Sequence, residues 1–368
     1  MKKQIIVWSL IGGGSVVVAV IAVFFILGMQ RGDPIKIGAV IAMSGPASHL
    51  VDVRDGMQMA IDEVNNWGGV NGRDMELVVR DSQSEPEVGK RAFEAIEEKN
   101  HPLLYVSTNS NVSMGLAPLA KKNRVVLVGL VVSTGKFTPQ SEWIYKYYTM
   151  PEDETRTILY ILDMLKIRKL GILYQDEEYG ISILSALKKG FENAGGSVVS
   201  VPFPIRNPDW KALISRMRDT EAVFVVGYLK NEEAAIGALK EAKYKGSILG
   251  ASGVTNLAGR PEMDGVYVAA PLIYNSNFPF AREVKEKYES VYKKPFTHQA
   301  ASGYDLIKLL AGLLGDREVS REGVRRLLDE GFVYPGIFGE LDIRPGTRDI
   351  TIPLHPARIA GEKIQFLR

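Results

Sequence analysis

The sequence predicts two doubly wound α/β lobes behind an N-terminal transmembrane helix. Three observations carry that expectation. Residues 35–81 alternate strand, turn, amphipathic helix, turn and strand. The alternation runs on to about residue 150 and then starts a second series. An uncharged apolar run at residues 5–28 precedes both.

The first unit is the clearest. IKIGAVIAMSGP is a strand ending in a glycine-proline turn, and MELVVRD is a second strand. Between them Val53, Met57, Ala60, Ile61 and Val64 recur as one apolar face of a 3.6-residue period. A strand–helix–strand unit makes the sheet parallel, with its ligand edge at the strand C-termini. That edge, residues 42–48, has neither GxGxxG spacing nor a P-loop pattern, so this Rossmann-like half holds no phosphate chemistry. Helices follow near 87–98 and up to 123, with strands at 103–106 and 125–128. Residues 130–150 connect to the second series, with a short extended piece at 143–148.

That series has helices at 155–165, 181–194, 210–218 and 232–242. They alternate with strands at 170–174, 198–201, 222–226, 248–250 and 266–269. Late helices at 280–292, 301–314 and 321–328 are followed only by short strands and are expected to return to the first lobe. The domain reading is therefore an anchor or signal segment at 1–34, a first lobe at 35–150 plus 275–340, and a second at 151–274 plus 341–368.

With 24% charged residues and a net charge of +2, nothing favours nucleic acid as a partner. No cysteine is present, which excludes disulfides, thiol catalysis and Cys-ligated zinc. The apolar run is long enough to cross a hydrocarbon core, and Lys2 and Lys3 before it stay in the cytoplasm. Its end, FILGM, lacks an A-x-A-like cleavage site, which favours an uncleaved anchor at 5–28 over a removed signal. The body of the chain is then extracytoplasmic, in the periplasm or at the cell surface.

Two polar loops stand at strand ends. In STNSNVS, residues 107–113, free N–H groups and a helix dipole can hold a carboxylate; helix N-capping alone also accounts for such residues. In VVSTGK, residues 131–136, the frame from Gly129 fails as a Walker loop because five residues separate the glycines and Phe137 replaces Ser/Thr. The four histidines (His49, His101, His298 and His355) show no HxxxH spacing, and no GxSxG elbow occurs. No metal, cofactor or enzymatic reaction is expected.

Gly45-Pro46, NNWGGVNG at 65–72, Asp81, Ser110, Tyr179-Gly180, Gly227-Tyr228 and Phe338-Gly339 occur in an order that resembles one family. This is the type I periplasmic solute-binding proteins of the branched-chain amino acid (Leu/Ile/Val) ABC transporters. The resemblance implies two lobes joined by three crossings, placed near 150–154, 269–274 and 341–349, which close on a ligand. It implies that Ser110 and Val132, Ser133 and Thr134 meet the ligand carboxylate, while Tyr179 and Tyr228 approach from the second lobe. Two family positions depart. The capping aromatic falls at Leu50, and the acid that pairs with the ligand ammonium falls at Ser252. A desolvated ammonium needs an acid or an aromatic face, so aliphatic amino acids are expected to bind poorly unless Asp176, Glu177 or Glu178 compensates. The function expected is capture of a small carboxylate-bearing ligand, an amino acid or related compound, for the permease of an ABC importer. The alternative is a membrane-tethered sensor acting through a separate signalling partner.

Overall fold

A computed structural model describes residues 32–367. The apolar run at 5–28 lies outside them, and among the described residues no helix is long and apolar enough to cross a membrane.

The first sheet starts with β1 (Gly32–Ile41) and β2 (Arg73–Asp81), which pair in parallel around α1 (Val51–Asn66). After α2 (Pro86–Asn100) come β3 (Leu104–Thr108), α3 (Ser110–Asn123), β4 (Val126–Leu130) and β5 (Ile144–Tyr147). The spatial order is β5-β4-β3-β1-β2, all parallel, and β3 and β4 are buried along their whole length. Strand alternation sends Ile37, Ala39, Val106 and Val128 into one apolar cluster and Val40, Tyr105 and Leu127 into another, so both faces are covered.

The second lobe repeats the plan with α4 (Pro151–Met164), β6 (Lys169–Gln175), α5 (Glu178–Asn193), β7 (Ser197–Phe203), α6 (Trp210–Ser215), β8 (Ala222–Val226), α7 (Leu229–Glu241), β9 (Ser247–Gly250) and β10 (Tyr267–Pro271). Its sheet runs β10-β9-β8-β6-β7 in parallel. Val223 and Val225 of β8 face one cluster, and Phe224 and Val226 the other.

The late helices α8 (Pro279–Tyr292), α9 (His298–Leu314) and α10 (Arg321–Asp329) contribute Tyr288, Ile307 and Leu327 to the first-lobe core. The contact between α1 and α9 is backbone to backbone. A Cβ on Gly56 would stand 1.9 Å from the Ala300 carbonyl oxygen, and one on Gly303 would stand 2.2 Å from that of Val53. Only glycine fits at either crossing point.

The third crossing corrects the sequence reading. A hairpin of β11 (Phe332–Gly336) and β12 (Gly339–Ile343) packs Leu341 and Ile343 into the first-lobe core. Buried Asp305 of α9 holds that hairpin, accepting from Tyr334 Oη at 2.6 Å and from the Ile337 amide at 3.1 Å. Then β13 (Asp349–Ile350) pairs in parallel with Lys146 and Tyr147 of β5. Residues 341–350 thus stay with the first sheet, and the chain crosses at 351–353 rather than at 341–349. Beyond it β14 (Leu354–Ala360) and β15 (Lys363–Phe366) add antiparallel to the β10 edge. The reason is local: fully buried Lys146 needs a countercharge, and Asp349 supplies it at 3.3 Å.

Candidate functional site

The C-terminal edges of the two parallel sheets face each other across a narrow cavity of about 40 Å³. Open α/β sheets bind ligands at this edge, because every strand there ends in a loop that leaves polar groups without a ladder partner.

On the first-lobe side Asp81 fixes the loop after β1. Its carboxylate accepts from the Met43 amide at 2.9 Å and from Ser44 Oγ at 2.6 Å. Although burial opposes it, those bonds hold the Asp81 pKa below the ordinary carboxylate value. Gly45, at φ +79°, turns this loop against the Gln83 carbonyl and brings His49 and Leu50 to the cavity. After β3, Asn109 caps α3 by accepting from the Asn111 amide at 3.0 Å, while its Nδ2 reaches across to Tyr228 Oη at 3.0 Å. Val131 follows β4 at φ +54°, a strained conformation for a β-branched residue and one often retained at functional sites. That turn presents Ser133, whose amide donates to Ser110 Oγ at 3.3 Å. The Ser133 hydroxyl itself is buried without a hydrogen-bond partner among the described residues.

Helix α9 starts at the same cavity with Thr297 as its cap, placing His298 and Gln299 in the wall. Burial and the proximity of His49 push His298 down to about 3, so its ring is neutral. Its Nε2 meets Tyr148 Oη at 2.9 Å, and Tyr148 Oη also lies 3.3 Å from Ser252 Oγ of the second lobe.

The second-lobe side is acidic. Glu177 caps α5 through the Gly180 amide and accepts from Tyr228 Oη at 3.2 Å. Burial pushes it up to about 7. Glu232, in the first turn of α7, is 1% exposed and lines the cavity. Its Oε1 accepts from the Gly227 amide at 3.4 Å. Glu154 of α4 is fully buried, and its Oε1 accepts from the Ser252 amide at 2.6 Å. Burial raises the pKa of both, and for Glu232 the nearby Glu154 charge raises it further.

Of the expected site residues, Leu50, Ser110, Ser133, Tyr179 and Tyr228 line this one cavity. Three do not. Val132 points into the first-lobe core on the face opposite Leu130, because the chain turns at Val131 between them. Thr134 donates to Glu178 Oε1 at 2.7 Å and belongs to a contact between the lobes outside the cavity. Ser252 sits behind the wall against Tyr148 and Glu154.

Of the acids expected to compensate, Glu177 is 7% exposed and Glu178 bonds Thr134, Ser182 and Lys136. Sequence reasoning placed Asn109 in its first polar loop but missed Tyr148, Glu154, Glu232 and Gln299 in or behind the cavity wall. For the two acids a signal existed. Glu232 heads the stripe Ala235, Ile236 and Leu239, and Glu154 heads Ile158, Ile161 and Leu162, so each acid lies on a buried helix face.

The sequence matches the periplasmic binding protein family over residues 34–363. It is 24% identical over 277 residues to the Leu/Ile/Val-binding protein of Escherichia coli K12, covering 70% of this chain and 74% of that protein. Two solved structures share the fold. A solute-binding protein of an ABC transporter from Rhodopseudomonas palustris, in complex with dihydroxybenzoic acid, superimposes with a TM-score of 0.80 at 20% identity, over 91% of this chain and 96% of that one. The substrate-binding protein LivJ of a branched-chain amino acid transporter from Streptococcus pneumoniae, in complex with isoleucine, gives 0.81 at 19% identity, over 90% and 97%. With its two parallel-sheet lobes and the cavity between them, the chain belongs to the periplasmic binding protein family and is a solute-binding protein, not an enzyme.

Proposed function

We propose that this protein captures a small carboxylate-bearing molecule, an amino acid or a related compound, between its lobes outside the cytoplasmic membrane. It then delivers the ligand to the permease of an ABC importer. The observation that carries this reading is the pairing of Ser110 and unpartnered Ser133 on one wall with Tyr179 and Tyr228 on the other. Hydroxyls and the N–H groups at the start of α3 suit a carboxylate, and tyrosines supply apolar cover with a polar tip. The names of the relatives, one for leucine, isoleucine and valine and one bound to an aromatic acid, agree with this class. The division into two lobes that open and close belongs to the same proposal, as does tethering through residues 5–28.

Calorimetry against amino acids, aromatic acids and short carboxylates tests it. A hydrogen bond to a charged group is worth roughly 1.5–3 kcal/mol, so Ser110→Ala should weaken the bound carboxylate about 10- to 150-fold. Unchanged affinity in that variant removes the carboxylate assignment. The tether has its own check: mature protein should keep its first residues and stay with membranes after a carbonate wash.

A further inference from the structure

The chain enters the first lobe at the end farthest from the cleft, and an uncovered indole stands beside that entry. We infer that the turn carrying Trp67 rests on the lipid surface of the membrane that holds residues 5–28, so that the first lobe stands upright with its cleft edge turned away from the bilayer. This rests on the tether reading above and adds an orientation to it.

The apolar run ends at Gly28, and β1 begins at Gly32. The four steps between them span at most about 14 Å, so the start of β1 cannot stand farther than that from the end of the run. The ten residues of β1 then rise about 33 Å toward the cavity. In a parallel α/β lobe the helices end at the edge where the strands begin. The far face of this lobe therefore collects the start of β1, the turn after α1 and the ends of α2 and α3.

Trp67, in that turn, is 88% exposed, more than any other large hydrophobic side chain among the described residues. A rigid turn presents it. Its amide donates back to the Glu63 and Val64 carbonyls at 3.1 Å. Gly69, at φ +75°, approaches Arg73 so closely that a Cβ would stand 2.1 Å from the Arg73 carbonyl oxygen. Val70 is 4% exposed and exchanges backbone bonds with Arg73 at 2.8 and 3.0 Å. Asn65 clamps Met75, donating to its carbonyl at 2.9 Å and accepting from its amide at 2.8 Å. Arg73 in turn pairs with Gly32 in the sheet and donates from Nε to the Asp33 carbonyl at 2.7 Å. The indole is thus fastened to the strand on which the chain enters.

An indole has an apolar body and one N–H, and it settles at the headgroup level of a bilayer. Charge does not choose the partner, because Asp33, Asp74 and Glu98 share this face with Lys99, Lys121 and Lys122. Docking is therefore the same on neutral as on anionic lipid and insensitive to salt.

The chain has no cysteine, so a single reporter can be placed at will. The test uses the full chain in phosphatidylcholine vesicles with nitroxide at the headgroups and a fluorophore on Asn66→Cys or on Glu87→Cys. Both positions are exposed, and Glu87 lies at the cleft end of α2, about 20 Å farther from the far face. The label at 66 should be quenched strongly and the label at 87 should not, on neutral and anionic vesicles alike. Trp67→Ser should leave the melting midpoint unchanged and lower the docked-to-free ratio read at 66 about tenfold, while Trp67→Phe keeps part of it. Equal quenching at both positions, no effect of Trp67→Ser, or quenching only on anionic lipid overturns this inference and leaves the tether standing. Cross-linking of Asn66→Cys chains to one another in place of quenching assigns the face to a second copy and overturns it as well. Release of the chain from the vesicles by carbonate overturns the tether and this inference together.

Discussion

The two walls of the cleft are built from opposite materials. The first-lobe wall is neutral: Asn109, Ser110, Ser133 and His298 stand at strand and helix ends, and the loops behind them are fastened by Asp81 and by the close crossing of α1 and α9. The second-lobe wall carries Glu232 with Glu154 and Glu177 close by, all nearly or fully buried. Neutral groups are cheap to bury once hydrogen-bonded, whereas carboxylates are costly until a cation or proton reaches them. The loops of the first wall are therefore held by their own bonds, while the acids of the second carry a burial cost.

The largest expected effect probes the rigid wall. Gly303→Ala places a methyl group within contact of the Val53 carbonyl oxygen, and overpacking of this kind costs about 3 kcal/mol. Thermal melting should show a clear drop in midpoint, and because α9 carries His298 and Gln299, the ligand affinity should fall too. A variant with an unchanged midpoint would show that the α1–α9 crossing is loose and that the two walls are alike in rigidity.

A smaller effect probes the acidic wall through pH. Glu177 ordinarily titrates near 4.5 and is raised to about 7 in the folded protein by burial. The native state then binds more protons than the unfolded chain between these values, so this group's contribution is complete below 4.5 and is lost as pH rises to 7. Chemical denaturation of Glu177→Gln beside the wild type isolates the term. The variant should gain stability relative to the wild type across that window, by on the order of 2 kcal/mol. A pH-independent difference would mean that Glu177 is solvated.

The smallest effect lies between the walls. Glu178 of the second lobe accepts from Thr134 at 2.7 Å and pairs with Lys136 at 3.1 Å, both from the first lobe. Lys136 is largely exposed, so solvent screens the pair, and Glu178→Ala should weaken ligand binding only about two- to fivefold. High salt should remove part of that difference. A loss as large as that of Ser110→Ala would make this contact a main determinant of closure.

Much of this protein is legible in its sequence, and the reason is periodicity. The apolar face of α1 and the continuous runs of β3, β4 and β8 follow from burial patterns that depend on neighbours three, four or two residues away, whereas the return of the late helices follows from the short strands after them. The polar loops around Ser110 and Ser133 are equally visible, because hydroxyl and amide residues cluster at these strand ends, where they cap a helix or face the sheet edge.

Tertiary structure alone decided the rest. The third crossing moved to 351–353 because a two-residue strand is too short to show a pattern and forms only by pairing with β5 around Lys146 and Asp349. Val132 and Thr134 lie off the cavity because the left-handed turn at Val131 redirects the chain after β4, sending one into the core and the other to Glu178. Glu154 and Glu232, 78 positions apart in the chain, meet behind the second-lobe wall only because α4 and α7 pack against one sheet edge. Proximity of that kind is a property of the folded lobes, and no local spacing encodes it.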